Sequence, residues 1–171
     1  MKKLSPALWV AQGAIIAALY VVLTYFIAAI GLANGAIQFR ISEALCILPI
    51  FTPAAIPGVT IGCLISNIIT GCSIFDIIFG TLATLIGAFG TYFLRKTKFI
   101  STLPPVLSNM IIIPLLLKFA YGLDDAWWWL VITVGAGEIL SICGLGMLLK
   151  AALWKFRNQI FRFDVAPSLA K

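Results

Sequence analysis

Histidine does not occur in this sequence, and charge is scarce: Asp, Glu, Lys and Arg make up 11% of the residues against 62% hydrophobic. The first absence removes the usual general base of hydrolytic chemistry and the commonest zinc ligand. No HExxH or GxSxG stretch is present, and no GxxxxGK[ST] loop that would cradle the phosphates of ATP. The four cysteines, Cys46, Cys63, Cys72 and Cys143, lie inside apolar runs without CxxC spacing. They read as small packing residues rather than as a metal or redox site. No catalytic constellation is visible, so no enzymatic activity and no cofactor are expected.

Scarce charge also excludes a soluble globule. With a mean hydropathy of +1.10 over 171 residues, there is too little polar side chain to cover a wetted surface. What the chain has instead is long apolar runs. The first extends from about Leu8 to Leu32 without a charge, beyond the roughly 20 residues that cross a hydrocarbon core. Lys2 and Lys3 before it resemble the start of a signal peptide, but the run is too long and further runs follow, so it reads as a retained helix. The fold class expected is an all-α integral membrane protein, multi-pass in the cell membrane. Six helices are predicted, at roughly 8–31, 40–52, 54–71, 75–95, 99–119 and 126–154, in one domain over 1–171 with a basic tail from 155 to 171. The second is short and runs into "LPIFTPAAIPG", where Pro49, Pro53 and Pro57 withhold backbone donors. Such a corner belongs at an interface or packed inside the bundle. Pro114 is expected to kink the fifth helix.

Six crossings with a cytoplasmic N-terminus place ten basic residues inside: Lys2, Lys3, Arg95, Lys96, Lys98, Lys150, Lys155, Arg157, Arg162 and Lys171. Arg40 and Lys118 alone stay outside. This is the positive-inside pattern, so the net charge of +6 is a topology signal and not a nucleic-acid footprint. "AWWWL" at 126–130 fits an outer aromatic belt.

The polar residues are skewed the other way. Glu43, Asp76, Asp124, Asp125 and Glu138 map to the outer half, together with Gln38, Arg40, Asn67 and Asn109. Polar groups are largely missing from the inner half, which argues for a pocket open outward and closed below. Glu138 lies well inside the sixth helix, where an ionisable group costs roughly 2.5–3.5 kcal/mol on insertion scales and so should face the bundle interior with a partner. The others have plainer readings: Arg40 and Glu43 as a neutralising pair three residues apart, Asp76 as a helix cap, Asn67 and Asn109 as inter-helix hydrogen bonders. In the first helix Ala7, Ala11, Ala14 and Ala18 recur four, three and four apart, a seam that admits another helix closely, within the bundle or from a partner.

The stretches "AIIAALYVVLTY", "IQFRISEALCILPIFTPAAIPGVTIGCLISNIITG", "DIIFGTLATLIGA", "PPVLSNMIIIP" and "GAGE" resemble the QueT family, across nearly all six predicted helices. The resemblance implies a substrate-binding (S) component of an energy-coupling factor (ECF) transporter for a queuosine precursor. Such a component has both termini in the cytoplasm and an outward pocket. It docks through Ala11, Ala14 and Ala18 onto a membrane-embedded coupling subunit that works with two ATPases. The implied ligand is queuine or another 7-deazaguanine. Its N–H and exocyclic amine suit one carboxylate, first Glu138, with Asn109, Gln38 or Arg40 donating to the carbonyl side. Glu43 or Asp76 would meet a cationic side-chain amine, and Phe39, Tyr121 or the tryptophans would stack on the ring. Three other readings stay open on the residues alone: a sister subunit for riboflavin, thiamine or biotin, a solitary gradient-driven carrier, or a scaffold without a ligand.

Overall fold

A computed structural model of the chain describes residues 5–31, 40–97, 99–120, 122 and 126–161. Among these the regular structure is entirely helical. Helix α1 (Pro6–Ala29) starts where Ser5 Oγ accepts the Leu8 amide at 3.3 Å, with Pro6 at the first helical position. A ten-residue 3-10 helix, α2 (Ile41–Ile50), follows, then α3 (Ala55–Ile69), α4 (Asp76–Phe93), α5 (Ile100–Phe119), α6 (Trp127–Trp154) and the short α7 (Arg157–Ile160). Four of them, α1, α4, α5 and α6, are long and apolar enough to cross a membrane. Helix α2 is not, but its 3-10 geometry rises about 2.0 Å per residue, so ten residues reach about 20 Å.

Burial is inverted relative to a soluble protein. Val10, Ile15 and Val22 on α1 are 61–62% exposed, and Phe93, Phe119 and Leu148 more so, while Glu43, Asn67, Asn109 and Glu138 are all at or below 6%. An outer surface of this kind is stable against hydrocarbon and not against water. With the several membrane-length helices, it describes a multi-pass membrane protein.

Glycine sets the close contact of α1 with α3. Gly58 and Gly62 on α3 lie four apart and face α1; a Cβ on Gly62 would stand 2.6 Å from Tyr20 Cβ and 3.0 Å from the Ala17 carbonyl. A Cβ on Gly58 would stand 2.9 Å from the Gly13 carbonyl. The pair lets two backbones approach as small-xxx-small contacts do in membranes. Helices α4 and α5 meet the same way, Gly87 and Gly90 against Pro105 and Pro104.

The proline-rich corner is packed inside. Every residue from Ser42 to Thr52 is buried, and Ile47, Ile50, Phe51, Val59 and Cys63 form the core with Ile16 and Tyr20 of α1. Helix α5 runs through Pro114 to Phe119 without interruption. At this end of the bundle Phe51 stacks on Phe161 at 5.1 Å and meets Trp154 at 5.9 Å. Gln12 of α1 donates to the Phe161 carbonyl at 3.0 Å and accepts from Thr52 Oγ1 at 2.8 Å. The C-terminal turn is thereby tied across the base, and the helices alternate between this closed end and an opposite, open one.

Candidate functional site

The open end holds a cavity of about 880 Å³, formed by the last turns of α1 and α3, the first turn of α4 and Leu117 of α5. That volume is in the range of small-molecule sites. Its polar wall comprises Thr24, Arg40, Asn67, Thr70, Ser73 and Asp76. Gly71, at φ +71°, makes the opening: its left-handed conformation ends α3 and lets the Cys72 amide return to the Asn67 carbonyl at 2.9 Å.

Asp76 is placed by its own loop. Ser73 Oγ donates to Asp76 Oδ2 at 3.1 Å and accepts the Asp76 amide at 3.3 Å, so the cap of this helix is Ser73, with Asp76 three residues on. Asn67 Nδ2 donates to the Asp76 carbonyl at 3.2 Å, tying α3 to the start of α4. Asn67 also reaches Cys63 Sγ at 3.6 Å, which takes a second contact from Thr84 Oγ1 at 3.4 Å. Arg40, half-buried just ahead of α2, lines the cavity from the other side.

Two carboxyl groups lie deeper. Glu43, one 3-10 turn below Arg40, is 2% exposed; its Oε1 accepts from Tyr20 at 2.5 Å and its Oε2 from Cys46 Sγ at 3.1 Å. Thr24 Oγ1 donates to Ser42 Oγ at 2.8 Å one turn above. Both contacts fasten α1 to α2. Glu138, 6% exposed, takes a hydrogen bond from the Asn109 side chain. Its Oε2 is buried with no hydrogen-bond partner among the described residues. An acceptor in that position costs about 1–3 kcal/mol until something donates to it. Glu138 is also where α6 changes from α-helix to a π segment, Ile139–Gly146, a feature that clusters at functional sites.

The structure therefore gathers Arg40, Asn67 and Asp76 in the cavity wall, and Glu43, Asn109 and Glu138 in the interior. Gln38, Phe39, Tyr121, Asp124 and Asp125 lie outside the described residues. Trp127, Trp128 and Trp129 are 46–61% exposed on the outer surface and do not line the cavity. Ala7, Ala11, Ala14 and Ala18 are all exposed, while Gln12, Ile16 and Tyr20 face the bundle, so the seam points away from it. Sequence reasoning missed Tyr20, Thr24 and Ser73. The signal for the first was a phenol in an apolar run, about two turns above the isolated Gln12.

As chemistry, the site offers a buried acceptor at Glu138, a cation at Arg40, an amide at Asn67 and an anion at Asp76. Such a set offers donors, acceptors and charge of the kind that would suit a small polar molecule.

The sequence profile described as QueT transporter matches residues 10–155. A queuosine precursor transporter QueT from Lactococcus lactis subsp. cremoris (strain MG1363) is 45% identical over 73 residues, which cover 43% of each chain. No solved structure matches the chain. The profile spans six-sevenths of the sequence, and the chain belongs to the QueT transporter family.

Proposed function

We propose that this chain is the substrate-binding component of an ECF-type importer and captures a queuosine precursor, queuine or another 7-deazaguanine, from outside the cell. The observation that carries the reading is Glu138 Oε2, a buried acceptor left without a donor among the described residues, in the interior of a membrane bundle whose open end holds a polar cavity. A guanine-like edge supplies two adjacent donors to one carboxylate, and in a site shielded from water such paired bonds are strong. Asn109 holds Glu138 in place. Arg40 and Gln38 are the donors for the ring carbonyl. The ligand class follows the name of the Lactococcus relative.

The cavity faces outward in this reading because Arg40 and Lys118 are at its end, whereas Arg95, Lys96, Lys155 and Arg157 are at the closed end. All six segments then cross or nearly cross the bilayer, with both termini in the cytoplasm. The exposed Ala11, Ala14 and Ala18 give a coupling subunit a close approach to α1, and two ATPases attached to it supply the energy that this chain has no loop to harvest. The decisive experiment is uptake of labelled precursor in cells expressing the chain with and without an ECF module, alongside Glu138→Gln. Uptake is expected only with the module, and the variant should bind several-fold more weakly while remaining folded. Uptake sustained without any module would make the chain a solitary carrier instead.

A further inference from the structure

We infer that a groove between α4 and α5 at the open end is a phospholipid site: it holds one acyl chain of an anionic lipid whose phosphate meets Lys118. The ligand reading of the polar cavity does not enter this inference. The groove has a volume of about 480 Å³, and every residue lining it is apolar, with Phe75, Phe79 and Leu82 on one side and Ile112, Leu115 and Phe119 on the other. Leu116, 5% exposed, is its floor, whereas Phe75, Phe79, Leu82 and Leu115 are 40–47% exposed and form its walls.

The helix pair explains why the groove exists. Toward the closed end Gly87 brings α4 onto the backbone of α5, where a Cβ would stand 2.6 Å from Pro105 Cα. Toward the open end the facing residues become Phe79, Phe75 and Phe119, and α4 begins with a π turn, Asp76–Gly80. From Phe75 to Leu82 the groove runs about 10 Å along the helix, some two-thirds of the ~15 Å that one leaflet contributes to the hydrocarbon core. In a multi-pass membrane protein this face meets hydrocarbon, and an acyl chain is the slender apolar body that a slot of that length admits. Lys118 chooses the head. It is exposed and lies three residues beyond Leu115, one turn above it on the groove's side of α5. Its stem can lie along the apolar wall while the ammonium reaches the interface, where an anionic head is drawn more strongly than a zwitterionic one. The first turn of α4 also has the polar cavity on its other side, since Asp76 lines the cavity while Phe75 and Phe79 line the groove. A lipid seated here backs the cavity wall.

The test is native mass spectrometry of the full chain in detergent, delipidated and then given equal amounts of phosphatidylglycerol and phosphatidylcholine with the same acyl chains. Wild-type protein should retain one phosphatidylglycerol, preferred about five-fold over phosphatidylcholine, the scale of one lysine at an anionic surface. Lys118→Gln, a change at an exposed position, should remove that preference. Leu115→Trp, which fills the groove from its wall, should retain neither lipid in protein shown by circular dichroism to be folded. Equal retention of the two lipids by wild-type protein, or a preference that survives in Lys118→Gln, would overturn the inference, and neither result depends on how Leu115→Trp folds. Lipid held by folded Leu115→Trp as tightly as by wild-type protein would overturn it too. A wild-type dimer that Leu115→Trp dissolves would give the groove to a second copy of the chain and overturn it as well.

Discussion

Adding one methyl group to Gly62 should unseat α1 from α3. A Cβ there would lie 2.6 Å from Tyr20 Cβ and 3.0 Å from the Ala17 carbonyl. Neither atom is the far end of a flexible side chain, and Tyr20 is 1% exposed with its hydroxyl held by Glu43. Overpacking against such neighbours costs about 3 kcal/mol, the upper part of the usual range. Alanine regains about 1 kcal/mol of helix propensity over glycine, leaving a net loss of about 2 kcal/mol. For a chain of this size that is a fall of about 4–8 °C in Tm. Gly144→Ala supplies the control, because nothing stands within 4 Å of its Cβ position, and the propensity gain should appear alone. The assay is thermal unfolding of both variants in the same detergent. Equal Tm values for Gly62→Ala and Gly144→Ala would refute the claim that this backbone contact sets the α1–α3 packing.

Two further substitutions separate the roles assigned to α1. Tyr20→Phe removes the 2.5 Å donor to Glu43 and leaves a buried carboxyl oxygen short of a partner, a loss of about 1–3 kcal/mol; an unchanged unfolding midpoint would show that this bond holds nothing. Ala14→Trp places a large side chain on the exposed seam and touches no core residue. It should abolish co-purification with the coupling subunit and leave ligand affinity unaltered, and retention of the complex would remove the seam as the docking face.

Much of the fold was legible because apolar run length reports membrane helices directly. The predicted segments 8–31, 75–95, 99–119 and 126–154 overlap α1, α4, α5 and α6 nearly end to end. The character of α2 was not legible: prolines mark where a helix is weakened but not whether the segment lies at an interface or in the core. Gly58 and Gly62 were visible as a spacing, yet their partner on α1 is a matter of which faces meet. The site divided along similar lines. That Glu138 needed a partner followed from its depth alone, and Asn109 proves to be one. How Glu43 and Asp76 are held depends on Tyr20, Cys46 and Ser73, and no spacing rule connects residue 20 to residue 43. Ser73 was the accessible miss, since Ser73 and Asp76 stand at capping-box spacing.

The central claim is that this chain by itself binds a 7-deazaguanine. Its most direct test is titration of the purified, detergent-solubilised chain, without partners, with queuine and its earlier 7-deazaguanine precursors, using guanine, riboflavin, thiamine and biotin as controls. The account predicts saturable binding of at least one 7-deazaguanine and none of the vitamins. Folded protein that binds a vitamin instead, or nothing at all, would contradict it.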